Sequence, residues 1–101
     1  MDVEFLTPAR VEFREAIHFY EDQKPGLGDR FAGEVRKTLE RIMQFPAAWP
    51  PLSKRTRRCR VKGFPYGVIY QLRDDILLII AVMHLHREPD SWRNRLAEPP
   101  R

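Results

Sequence analysis

Ile76-Leu77-Leu78-Ile79-Ile80-Ala81-Val82-Met83 is apolar at every position. Successive side chains of a strand point to opposite faces, so a strand of this composition must be covered on both. It therefore belongs in the interior of a sheet. Just before it, Tyr66-Gly67-Val68-Ile69-Tyr70-Gln71-Leu72-Arg73 is rich in β-branched and aromatic residues, and Asp74-Asp75 supplies a turn. The two segments are predicted to form a hairpin over residues 66–73 and 76–84. Its far end delivers His84, His86 and Arg87 as a cluster of donors with a proton carrier among them.

The rest of the chain has to cover that strand. Val3-Glu4-Phe5-Leu6 reads as a short first strand. Thr7 offers an N-cap hydroxyl and Pro8 suits the first helical position, so a helix is predicted to begin there. Ala9, Phe13, Ala16, Ile17 and Tyr20 give it one buried stripe, with His18 beside the stripe in a structural role. Lys24-Pro25-Gly26 ends it. A second helix carries Leu27, Phe31, Val35, Leu39 and Ile42 and stops at Phe45-Pro46. The short break implies an antiparallel helical hairpin. Residues 46–52 form a stiff proline-rich loop from which Trp49 plugs an edge of the core. A strand follows over residues 57–62, and Pro89-Asp90 start a short terminal helix holding Trp92. The order β-α-α-β-β-β predicts an α+β fold, with a helical hairpin on one face of a mostly antiparallel sheet. One domain is expected over residues 1–96, with a frayed tail at 97–101.

A chain of 101 residues is near the size at which a single core suffices. At 43% hydrophobic and 32% charged residues it is globular rather than disordered. A single cysteine, Cys59, excludes an intramolecular disulfide and fits a reducing compartment. The apolar run is far short of the roughly 20 residues that cross a bilayer. The first residues lack the basic-then-apolar pattern of a secretory leader. The expectation is a soluble cytoplasmic protein with no membrane partner.

The net charge of +4 is concentrated in residues 54–62, where Lys54, Arg55, Arg57, Arg58, Arg60 and Lys62 meet no acid. Alternation puts Arg58, Arg60 and Lys62 on one face of a strand, opposite Cys59 and Val61. Such a row suits a polyanionic partner, either nucleic acid or an acidic protein segment. It equally suits an edge strand guarded by charge against aggregation. His84 and His86 share a face if the strand continues. A lone pair with no cysteine or clustered carboxylate falls short of a zinc site, so no metal is expected. Tyr66 and Tyr70 share a face with Val68 and Leu72, which favours packing over base stacking. There is no phosphate-cradling glycine loop and no acyl-transfer order of Ser, His and Asp, so neither a cofactor nor a small-molecule substrate is implied.

Tyr66-x-x-x-Tyr70, the acidic turn, the apolar strand and His84-x-x-Arg87 before Trp92 together resemble the RelE/ParE superfamily of toxin–antitoxin toxins. The likeness covers nearly the whole chain in element order and length. It implies the toxin of a type II, plasmid-stabilisation-like module, a cause of growth arrest neutralised by a cognate antitoxin. Members divide into RelE-like nucleases that cut mRNA on the ribosome and ParE-like inhibitors of DNA gyrase. For a nuclease, the resemblance implies Arg60, Lys62, His84, His86 and Arg87 as the catalytic set. For target or antitoxin binding it implies Arg57, Arg58, Arg60, Lys62, His86, Arg87 and Trp92. Gly67 stands where RelE-like nucleases carry an arginine, and Trp92 is the nearest aromatic to their terminal tyrosine. These departures favour the ParE-like, non-nucleolytic branch. The alternatives are a RelE-type endoribonuclease and a non-toxic nucleic-acid-binding or antitoxin-sequestered module.

Overall fold

The computed structural model describes residues 1–87 and 90–97. The chain runs β1 (Asp2–Phe5), α1 (Thr7–Gln23), α2 (Leu27–Gln44), β2 (Arg57–Arg60), β3 (Tyr66–Arg73), β4 (Ile76–His84) and a 3-10 helix over Ser91–Ala97. The expected α+β order is present. The strands lie in the order β1-β4-β3-β2. The wholly apolar β4 is an interior strand, parallel to β1 and antiparallel to β3, while β2 runs antiparallel along the far edge. Between β1 and β4 the α1–α2 hairpin covers one face of the sheet, called the helix face below. β1 pairs with β4 along its length and turns Val3 and Phe5 into the helix-face core, where the Phe5 ring stacks on Phe13 of α1.

Ala9, Phe31, Val35 and Ile42 from the helices pack on Cys59, Val68, Tyr70, Leu77 and Ile79. On the opposite, outer face a second cluster joins Ile69, Ile80, Ala81 and Met83 to Trp92 of the 3-10 helix. Both faces of β4 are thereby buried, as its composition demands. Trp92 is 2% exposed, so the terminal segment is docked rather than trailing. Trp49 also packs at the margin of the helix-face core, as expected.

Several local expectations are corrected. The residue that caps α1 is Leu6, with no side-chain hydrogen bond, and Thr7 already lies inside the helix. His18 is exposed and plays no part in the core. Leu72 shares a face with Tyr70 but is 45% exposed, because the helix layer ends before reaching it. β2 stops at Arg60, since the chain must reverse into β3, and it does so through Gly63 at a φ of 82°. Lys62 therefore sits in a turn. The 3-10 helix includes Ala97, while residues 88–89 and the tail from 98 to 101 lie outside the described residues.

The helical hairpin is closed by two features of one corner. Gly28 lets α2 approach α1 so closely that a Cβ there would stand 2.6 Å from the Ile17 carbonyl oxygen. The first amides of α2 lack a capping side chain of their own. Glu21 of α1 takes that part, accepting from Gly26 N–H at 3.0 Å and Gly28 N–H at 3.0 Å.

One irregularity sets the site. Ile69 pairs with Ala81, but Tyr70 pairs with Ile79, so Ile80 is an extra residue in β4. Such a bulge shifts the alternation of everything after it. Leu77 and Ile79 face the helices before it, and Val82 faces them after it, while Ile80 and Ala81 both turn outward.

Candidate partner-binding site

The cations of β2 are sorted by the pleat. Cys59 lies opposite Val68 on the helix face, whereas Arg58 lies opposite Ile69 and Arg60 opposite Gly67 on the outer face. Arg60 is exposed and Arg58 half-buried. Arg57 belongs with Cys59 and turns away from them; its Nη1 donates to the Trp49 carbonyl oxygen at 2.7 Å. Lys62 is exposed in the turn beyond the ladder. The expected row is thus Arg58 and Arg60 on one face, with Lys62 at its end and Arg57 behind. Among the described residues, none of these cations joins a salt bridge.

Arg58 N–H donates to the Pro50 carbonyl oxygen at 3.1 Å, so its backbone amide points away from β3. Arg60, two residues on, presents its amide to the same free edge. The loop before β2 therefore takes up the edge at Arg57 and Arg58, and beyond it, at Arg60, an open backbone edge meets uncompensated positive charge.

His84 is placed elsewhere. It is the cross-strand partner of Tyr66, on the helix face, and its ring stands edge-on to Tyr66 with centroids 5.4 Å apart. There it closes a cleft of about 340 Å³ between α1 and the end of β4, lined also by Glu12, Glu15, Phe19, Tyr66 and Arg87. Partial desolvation, followed by the nearby Arg87 and His86, holds its imidazole below the usual histidine pKa. Burial pushes the Tyr66 phenol upward, against the pull of Arg87. β4 ends at His84, so His86 lies in the following turn rather than on a shared strand face. Its N–H donates to His84 Nδ1 at 3.1 Å, with ring centroids 5.7 Å apart. Among the described residues no three His, Cys, Asp or Glu side chains gather as a metal would require. Arg87 is exposed at the rim. Asp90, three residues on, pairs with Arg93 at 3.2 Å, and Glu88 lies outside the described residues.

The candidate nuclease set is therefore divided. Arg60 faces outward, and His84 faces the helices from the other side of the same sheet. Trp92, named as a contact residue, is buried against the outer face and serves to hold the 3-10 helix.

Sequence reasoning missed a clamp beside the cleft. Arg95 donates to both carboxylate oxygens of Glu12, at 2.8 and 2.6 Å, and to the Ile80 carbonyl oxygen at 2.9 Å. Glu12 also accepts from Val82 N–H at 3.1 Å. The pair thus satisfies the edge of β4 where β1 has ended. An acid three residues after Ala9, beside the buried stripe, was the only sequence signal for it.

Comparison with known proteins agrees with this architecture. Residues 3–89 match the family described as the ParE toxin of the type II toxin–antitoxin system, parDE. Toxin ParE2 of Mycobacterium tuberculosis is 35% identical over 78 residues, covering 76% of this chain and 74% of that protein. A solved structure of the chromosomal ParDE toxin–antitoxin system from P. aeruginosa superposes with a TM-score of 0.72 at 11% identity. It covers 83% of this chain and 95% of that one. A mutant of E. coli toxin RelE in the free state gives 0.64 at 17% identity, over 96% and 90% of the two chains. Among the described residues no helix is long and apolar enough to cross a membrane. With its sheet, its helical hairpin and most of its length matched, the chain belongs to the ParE toxin family of type II toxin–antitoxin systems.

Proposed function

We propose that this toxin arrests growth by binding DNA gyrase rather than by cutting mRNA, and that a cognate antitoxin neutralises it. The observation that carries the first part is the split across the sheet. Metal-free RNA cleavage needs a base, phosphate-binding cations and an acid within reach of one another. Here the bulge at Ile80 turns His84 to the helix face, while Arg58 and Arg60 look outward. Gly67 adds no cation between them. What remains on the outer face is a recognition surface without a proton carrier, and binding is the activity it supports. His86 and Arg87, exposed past the end of β4, stay with His84 at the helix-face cleft and so bring no proton carrier to the cations.

The antitoxin reading rests on the open end of the β2 edge, at Arg60, beyond the bridge that Pro51 makes to Arg57. Unpaired backbone groups accept an added strand, and Arg58, Arg60 and Lys62 favour one that carries acids. Covering that edge also removes the surface from the target.

Induction in cells, followed two ways in one culture, tests the proposal. Transcript 5′ ends stay intact while gyrase cleavage complexes accumulate, and co-expression of the antitoxin abolishes both arrest and complexes. Discrete mRNA cleavage that precedes DNA damage would refute the gyrase reading and restore the RelE-type alternative.

A further inference from the structure

Gly67 is buried in the middle of the outer face, and the atoms that bury it belong to its neighbours. A Cβ built on it falls 3.0 Å from both Cγ and Cδ of Arg58 and 3.1 Å from Leu85 Cδ2. Arg58 is not the direct partner of Gly67; it lies opposite Ile69, one diagonal step away. Its stem therefore leans from β2 over the backbone of β3 at the one position without a side chain, a position that Leu85 from the turn after β4 also covers. A long side chain spans such a diagonal. Lying flat over a glycine fixes rotamers that an exposed arginine would otherwise sample.

We propose that Gly67 is the seat of Arg58, holding its guanidinium over β3 as the anchor for a carboxylate on an acidic, extended segment of the antitoxin. The inference rests on the antitoxin reading above and adds the contact that fixes its register. The surroundings favour a peptide over a phosphodiester chain. Around Gly67 the apolar side chains of the outer face, Ile69, Met83 and Trp92, are buried against one another. What is left to a partner is Arg58 and Arg60, at alternate positions of one short strand, with Lys62 in the turn, a spacing that matches the alternate acids of an extended segment. A nucleic-acid backbone instead asks for a continuous cationic track. Arginine suits the task because its planar fork takes a carboxylate in two parallel hydrogen bonds. Gly67 acts as a positioning residue, since the side chains nearest to a Cβ there are those of Arg58 and Leu85.

The experiment uses the full chain and a labelled peptide of alternating glutamate and leucine, with oligouridylate RNA as a parallel probe. Arg58→Ala is expected to weaken peptide binding roughly tenfold or more, the loss typical of a charge-assisted contact. Gly67→Ala displaces only flexible side-chain atoms, so it folds, and it weakens binding roughly threefold to tenfold. In the Arg58→Ala background Gly67→Ala has no further effect. That coupling separates a seat for Arg58 from a merely structural glycine, which would cost the same in both backgrounds. If Gly67→Ala lowers the melting temperature, Arg58→Met reads the contact from the other side, keeping the stem and losing as much binding as Arg58→Ala. Equal costs in both backgrounds, a silent Arg58→Met, no peptide binding by the wild type, or preference for the RNA each overturn the proposal. Antitoxin neutralisation that survives a silent Gly67→Ala removes the seat and leaves the antitoxin reading intact. Toxicity indifferent to any antitoxin removes that reading instead.

Discussion

Arg95→Ala should be the most damaging substitution outside the apolar core. The Arg95 and Glu12 side chains are 17% and 24% exposed, so the pair is mostly shielded from water. Glu12 raises the already high pKa of Arg95 by hydrogen bonding, so the arginine stays charged at any working pH. Truncation removes two charge-assisted bonds to Glu12 and the donor to the Ile80 carbonyl oxygen. The carboxylate keeps only Val82 N–H. Each charge-assisted bond contributes about 1.5–3 kcal/mol, and a pair broken at one partner in a dry interior costs about 3–5 kcal/mol. Water reaching the exposed quarter of Glu12 lowers that, to about 2–3 kcal/mol. For a domain of this size the loss corresponds to roughly 10–20 °C in melting temperature. Urea and thermal melts of Arg95→Ala, Glu12→Ala and the double variant give the coupling, expected at about 1–2 kcal/mol. In the same samples, exchange of the Val82 amide should quicken more in Glu12→Ala than in Arg95→Ala. A melting temperature for Arg95→Ala within about 2 °C of the wild type, on the scale above, refutes the clamp. So does a coupling indistinguishable from zero.

The Tyr70 hydroxyl donates to the Pro46 carbonyl oxygen at 2.6 Å, and burial pushes its pKa up to about 12. The unfolded chain loses that proton near 10, so the native state holds more protons over the interval and stability falls as pH rises from about 10 to 12. Tyr70→Phe is expected to flatten that alkaline limb in urea titrations while costing about 1 kcal/mol at neutral pH; an unchanged limb would assign it to other groups. Gly28→Ala pushes a methyl toward the Ile17 carbonyl and spreads the helical hairpin, with an expected loss of about 1–3 kcal/mol by denaturant melt. A neutral Gly28→Ala shows that α2 slides freely on α1.

The elements legible in the sequence were those written locally. The hairpin over 66–73 and 76–84 follows from β-branched runs around an acidic turn, and both helices from stripes that repeat every three or four residues. The chemistry of the site depended on relations the sequence does not display. Ile80 is apolar and fits either face of a buried strand, so nothing in the chain marked it as the residue that breaks the alternation. His84 therefore keeps His86 beside it, as expected, but lies behind the cations it was expected to join. Glu12 and Arg95 meet only because the terminal segment returns over β4, a contact between distant parts of the chain with no periodic trace. Lys62 was carried into the strand although Gly63 follows it, where turn chemistry outweighs alternation. Gly67 was read as a missing arginine. The fold makes it the place across which another arginine lies.

The bulge in β4 has a consequence for how such chains diversify. A residue inserted into or deleted from a strand, where no bulge absorbs it, exchanges the inward and outward sets downstream of it with no change in the residues themselves. Loss of Ile80 would only regularise the ladder. In a chain one residue shorter between Ala81 and His84, with the bulge kept, the same alternation would carry His84 to the outer face, across Gly67 from Arg60. A titrating imidazole would then share a surface with the cations that now stand alone there. Point substitution would need several coordinated changes to assemble that arrangement, whereas a single-codon deletion re-phases it in one event. On this scaffold, a protein that grips its target and one equipped for acid–base chemistry are separated by the length of a strand.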